Sequence, residues 1–284
     1  MSEMKYIKEL LSTDLGTEGS LLIVKKIYDS LLDETAKAMI PRSEMALYFG
    51  PGDIPGSSID VDLVTPNKMD VRKVGEGAEF PLDETEYTSF NMKPVKYGVS
   101  IRITREMLED GKWNLLQHNI KVAGKRFAEN ENTKIISDAL DNASNTISGG
   151  AAVTIANLTR GMQYLDDADY NPTTYFVGME VLNDLRNIDT FVEANKVGNT
   201  DMLTKGFLGN IYGLNVIKLS TNAGMTTTTS FVTDKEWAYC MAEKRTVSME
   251  QFDLPTFDMS GAVLSHRFVV RHLRADAIAK ITSS

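Results

Sequence analysis

From Ile59 onward apolar and polar positions alternate, with Ile59, Val61 and Leu63 in one phase, Asp60 and Asp62 in the other, and Met69 and Val71 continuing the first. A period of two predicts a strand rather than a helix. After an acidic stretch the alternation returns at Phe90 and Met92, and past Pro94 it shifts by one residue to Val95, Tyr97, Val99, Ile101 and Ile103. Such a slip turns side chains to the opposite face unless a bulge absorbs it, and proline belongs at an irregular or edge position. The pattern predicts a hairpin over residues 58–104. With continuous arms at ~3.3 Å per residue it reaches roughly 50 Å. A two-stranded ribbon is marginal by itself in water, so it must lie on something, another copy of the chain included. The same pattern also fits two or three short strands of a compact sheet joined by an acidic surface loop.

Elsewhere the periodicity is helical or mixed. Tyr6, Leu10 and Leu11, then Val24, Ile27 and Leu31 after a break at Gly16 and Gly19, predict two helical arm segments, the second ended by Pro41. The turn-rich GPGDIPGSS from Gly50 reads as a linker. Thr104 is placed to cap REMLED, which Gly111 ends, and Asn114 with Gln117 resembles a capping box. Beyond it Leu116, Ile120, Ala123, Phe127, Ile135 and Ala139 share one side, opposite a solvated or interface face of Lys121, Lys125, Glu129 and Lys134. With no proline before Asn142, this predicts a helix of roughly 28 residues and ~42 Å. After Gly149 and Gly150, the text predicts a helix capped by Asn157, a turn at Asn171 and Pro172, a buried strand TTYFVG and a second helix MEVLNDLRN. A glycine-punctuated turn then feeds a strand from Leu214 to Leu219, and the chain past Phe231 is mostly strand. The fold class is α+β.

Charge sharpens the picture of the hairpin. Its tip, KVGEGAEFPLDETEY from Lys73 to Tyr87, holds five acids and one base, with Phe80 and Leu82 among them. The whole chain carries a net charge of -9, which argues against an electrostatic grip on nucleic acid but not against residence beside it. A hydrophobic fraction of 42% and a charged fraction of 24% are those of an ordinary globular protein. No apolar run approaches the ~20 residues that span a bilayer, and MSEMKYIKELL lacks the features of a secretory signal. A single cysteine, Cys240, rules out an internal disulfide framework and fits a reducing cytoplasm.

Candidate chemistry is sparse. The GEG at Gly75 and Gly77 lacks the third glycine and the helix of a dinucleotide site, and no phosphate loop or nucleophile elbow occurs. Cys240 among Trp237, Tyr239 and Met241 reads as a small buried hydrophobe. His118, His266 and His272 read as structural, the last two being too far apart on one strand to close on a metal. Asp166, Asp167 and Asp169 lack the glycine and distal glutamate of a calcium loop and read as a solvated helix end. Arg267, Arg271 and Arg274 form the one basic stretch; rather than bind DNA, they are expected to pair with acids of the same or a neighbouring subunit. No catalytic, cofactor or metal site is expected, and the chain reads as a non-enzyme.

The order of arm, GEGAEF hairpin, SIRITREMLED, long helix ending near NASNTISGG, GFLGNIYGLNV and closing FVVRHLRADAIAKI resembles the major capsid proteins of tailed viruses, the Hong Kong 97-like fold shared with encapsulins. The resemblance spans nearly the whole chain. It implies an N-terminal arm and linker (1–57), an extended hairpin loop (58–104) reaching over a neighbour, and a peripheral domain with a spine helix (105–150). It further implies an axial α/β domain around five-fold and local six-fold axes (151–245) and peripheral C-terminal strands (246–284). The implied function is a capsid subunit that self-assembles as pentamers and hexamers into an icosahedral shell enclosing double-stranded DNA. The alternative within the fold is an encapsulin nanocompartment around a cargo enzyme, against which the long arm and Gly50 linker look more viral. Outside the fold, the alternative is a cytosolic enzyme with an acidic lid loop.

The implied partners are copies of the chain, a portal and a separate scaffold protein, since the arm before Gly50 is too short to contain a scaffolding segment; Met1 speaks against prior processing. DNA would be enclosed without sequence-specific binding, no membrane is involved, and the shell would assemble in the host cytoplasm and reside in the virion. Some relatives crosslink a hairpin lysine to a neighbour's asparagine; Lys68 and Lys73 read instead as ordinary strand lysines. The expected subunit interface is Val71, Val74, Glu76, Glu79, Phe80, Leu82, Asp83 and Glu84, with Lys121 and Lys125 of a neighbour facing the acids.

Overall fold

The computed structural model describes residues 40, 42–64, 72–77, 79–80, 87–104, 114–187 and 210–283. The segments predicted as arm helices, the REMLED segment and part of the hairpin tip lie outside them. The long predicted helix is α1, Asn114–Asn142. Of its apolar side, Ala123, Phe127, Ile135 and Ala139 are buried, as the spacing requires. Lys125 and Lys134 are exposed on the other side, but Glu129, expected there too, is buried. Arg126 Nη1 holds its carboxylate at 2.8 Å.

Among the described residues the strands form three sheets. Strands β1 (Leu47–Phe49), β4 (Val95–Thr104), β10 (Tyr239–Leu254) and β11 (Met259–His272) form a four-stranded sheet ordered β1-β10-β11-β4. A six-stranded sheet runs β5 (Asn145–Ser148), β12 (Ile278–Thr282), β9 (Thr229–Thr233), β6 (Thr174–Val177), β8 (Leu214–Lys218) and β7 (Asn210–Ile211). The third is a two-stranded ribbon of β2 (Ile59–Val64) and β3 (Tyr87–Met92). Two cores result. One packs α1 through Ile135, Ile136 and Ala139 on Tyr239, Met241 and Phe268, and reaches the six-stranded sheet at Phe176, Phe231 and Ile278. The other buries Tyr175, Val177, Val232 and Ile281 beneath α2 (Ile155–Asp166) and α3 (Met179–Arg186).

The sheets cross the divisions drawn along the sequence. β5 and β12 come from outside 151–245 yet complete the six-stranded sheet, and β10 starts inside that range but belongs to the four-stranded one. Helix α2 starts after Thr154 rather than at the expected cap Asn157. The turn before β8 is a two-residue hairpin at Tyr212 and Gly213, with φ of 51° and 87°, the doubly positive geometry that suits a tight hairpin. The polar run Thr226–Ser230 closes the start of α3: Thr229 O accepts from Gly178 N, and Thr227 O from Glu180 N and Val181 N. A Cβ on Gly178 would lie 2.5 Å from Thr226 O and 2.6 Å from Thr227 O, so the run packs there only against glycine.

The phase slip at Pro94 is not a bulge in a single long hairpin. The ribbon pairs only from Ile59↔Met92 to Val64↔Tyr87, and β4 pairs antiparallel with β11, from Met259↔Thr104 to Phe268↔Val95. At Lys93 and Pro94 the chain leaves one sheet and joins another, so two phases are required, one for each sheet's buried face.

Candidate assembly interface

The apolar side of the ribbon is covered, at its root, by its own subunit. Val61 and Met92 are buried against Ile54, Cys240, Ala242 and Leu273, with Ile59, Leu63, Phe90 and Val269 at the margin. Cys240 Sγ lies 3.4 Å from Met92 Sδ and donates to Arg271 O at 3.3 Å. Burial, reinforced by the nearby Asp138 charge, pushes its thiol up to about 12. A thiol so held is protonated and inert, in keeping with a packing role.

Three cations from β10 and β11 meet the ribbon. Lys244 Nζ donates to Ile54 O, on the segment that leads into β2. Arg267 Nε donates to Pro94 O at 3.1 Å, where the chain leaves β3. The Arg271 guanidinium stands 4.9 Å over the Phe90 ring. Among the described residues Arg267 and Arg271 thus meet a carbonyl and an aromatic face, and Arg274 stands 5.4 Å over Trp237.

The tip differs from the root. Among the described tip residues Val74 is half-buried, Glu76 and Glu79 are exposed, and Phe80 is 79% exposed. Val71, Leu82, Asp83 and Glu84 lie outside the described residues, as does the side chain of Lys121. Lys125 is exposed and lies 4.0 Å from Glu129 of its own helix. At the described part of the tip an exposed aromatic ring thus lies in sequence beside exposed acids, on a ribbon whose root is covered by its own sheet.

The histidines serve the interior. His266 is fully buried, with Nε2 2.9 Å from Glu243 Oε1, Nδ1 3.8 Å from Glu131 Oε2 and its ring stacked 4.5 Å from Phe268. Tyr48 donates its hydroxyl to Glu243 Oε2, so α1, β1, β10 and β11 meet in one polar cluster. His272 Nδ1 lies 3.3 Å from both oxygens of Asp138. Asp166, Asp167 and Asp169 are exposed at the end of α2. Among the described residues no His, Cys, Asp and Glu group has the arrangement of a metal site. Glu131 and Glu243 carried no sequence signal, because their burial depends on which strands surround His266.

The comparisons agree with this architecture. The sequence profile of a phage capsid protein family matches residues 87–281. No curated protein sequence matches the chain. The asymmetric unit of the bacteriophage PhiM1 mature capsid superposes with a TM-score of 0.68 at 10% identity, covering 87% of both chains. A structure from Gordonia phage Cozz superposes with a TM-score of 0.67 at 14% identity over 88% of this chain and 86% of that one. A virus-like particle from Pyrococcus furiosus superposes with a TM-score of 0.60 at 13% identity over 90% and 98%. With β4 crossing from the ribbon to the long sheet, the spine-like α1 and the six-stranded α/β unit all in place, the chain belongs to the phage capsid protein family and has the Hong Kong 97-like fold.

Proposed function

We propose that this capsid protein assembles with copies of itself as pentamers and hexamers, which close into an icosahedral shell around the double-stranded DNA of a tailed virus. The observation that carries this reading is the exposed tip. Phe80 is 79% exposed at the end of a ribbon whose root is already buried, so its covering surface comes from outside the subunit. Exposed acids at the tip contribute only about 0.2 to 1 kcal/mol per ion pair, whereas a fully buried apolar side chain contributes roughly 1.5 to 3 kcal/mol. Apolar contact therefore drives the joint, and charge sets register and rate.

The net charge of -9 suits a container wall that DNA slides past rather than binds. The chain acts as a structural subunit without catalysis, with a separate scaffold and a portal as partners, assembles in the host cytoplasm and ends in the virion. The test is electron microscopy of the expressed chain, with and without co-expressed viral proteins, and analysis of particle contents. Closed shells with capsomers of five and six support the proposal. A concentration-independent monomer under all conditions overturns it, and shells that enclose a cargo enzyme transfer it to the nanocompartment reading.

A further inference from the structure

We infer that Lys244, Arg267 and Arg271 are positioning residues: together they clamp the root of the ribbon and set the angle at which its tip leaves the subunit. The inference rests on the capsid reading above for its consequence, but not for its geometry.

Among the described residues the ribbon shares no ladder with the sheet beneath it; β2 and β3 hydrogen-bond to each other. Its seat consists of side-chain contacts, centred on Val61 and Met92 over Cys240 and Ala242. Contact of this kind is strong but non-directional, and methionine adapts to many poses, so it holds the ribbon down without fixing its heading. The three cations supply direction. A hydrogen bond from a charged nitrogen to a carbonyl, and a guanidinium over a ring, are both sensitive to angle.

Their placement brackets the ribbon. Lys244 holds Ile54 O ahead of β2, Arg267 holds Pro94 O after β3, and Arg271 covers Phe90 between them. The backbone is shaped for the first of these. Lys244 is the extra residue where β10 slips against β11, between the pairs Glu243↔Phe268 and Arg245↔Arg267. A bulge at that point re-aims one side chain without breaking the strand. Arg267 is opposite Lys96, two residues past the carbonyl it holds, so its reach ties the first residues of β4 to the end of β3. A small change of angle at this root becomes a large displacement at the tip, where Phe80 must find its seat.

The experiment uses the full chain and the variants Lys244→Met, Arg267→Met and Arg271→Leu, singly and combined, each keeping an apolar stem of similar length. Amide hydrogen exchange is measured on unassembled subunits, and particle shape by electron microscopy. The expected result is exchange faster by about tenfold or more in Ile59–Val64 and Tyr87–Met92 of the combined variant, with α1 and the β10–β11 pairing unchanged. Its particles should be irregular in diameter, or open sheets and tubes, with Lys244→Arg restoring the wild-type pattern at that site. Unchanged ribbon exchange overturns the clamp. Equal loss of protection in α1 assigns these residues to the general fold and overturns a positioning role. Faster ribbon exchange with uniform particles overturns the link to shell geometry. If the wild-type chain never assembles, the capsid reading fails, while the exchange data still decide whether the clamp exists.

Discussion

The proposed division of the ribbon into a root held by its own subunit and a tip held by another is best tested by two apolar residues with opposite environments. Met92 is 1% exposed and Phe80 is 79% exposed. Met92→Ala opens a cavity over Cys240 and Ala242, and should cost the subunit about 2 to 5 kcal/mol of stability. Phe80→Ser removes a side chain that touches little of its own chain, and should change subunit stability by less than about 0.5 kcal/mol. Its effect falls on assembly. Burial of a phenylalanine contributes roughly 1.5 to 3 kcal/mol, and with 79% of Phe80 still accessible about 1.2 to 2.4 kcal/mol remains to be gained per contact. That corresponds to an increase of about 7- to 60-fold in the subunit concentration needed for assembly, before the contacts of a closed ring multiply it. Urea unfolding of dilute subunits gives the first quantity, and light scattering across a concentration series, checked by electron microscopy, the second. A Phe80→Ser subunit destabilised by more than 1 kcal/mol, or one that assembles at the wild-type concentration, would refute the reasoning. So would a Met92→Ala subunit of unchanged stability.

Other consequences follow from the interior. His266→Leu removes the buried imidazole that lies 2.9 Å from Glu243 Oε1, and losing a buried hydrogen-bond partner should cost about 1 to 3 kcal/mol; a urea midpoint within error of wild type would contradict this. Gly178→Ala places a methyl group 2.5 Å from Thr226 O, so the Thr226–Ser230 run must move off α3; a thermal midpoint lowered by several degrees is expected, and an unchanged one would show that the loop yields freely. Cys240 and Tyr175 are both raised to about 12, by burial first in each case, from ordinary values of 9.0 and 10.0. The folded state therefore retains protons that the unfolded chain loses, and stability should fall as pH rises from 9 towards 12, by up to about 1.4 kcal/mol per pH unit for each group. Urea midpoints from pH 8 to 11 test this, and Cys240→Ser should show the shallower decline; equal slopes would sink the thiol's share.

What the sequence determined by itself was the set of local elements whose period is written in consecutive residues. The 29-residue helix α1, the fully buried β6 and the helix α3 follow from apolar spacing and end signals, since a helix or strand must present one face to whatever covers it. The acidic tip and the inert character of Cys240 were legible for the same reason: composition and near neighbours decide them. Only the tertiary structure decided which strand pairs with which. The phase slip at Pro94 was visible, but a slip looks the same whether it bulges one hairpin or hands the chain from the ribbon to β11, because strand partners are chosen by residues more than 150 positions away. The burial of Glu129, the carboxylates around His266, and the use of Lys244, Arg267 and Arg271 against a carbonyl, a carbonyl and a ring likewise arise from long-range packing. A charged side chain in a sequence shows what it can bind; the partner that desolvates and orients it is supplied by the fold.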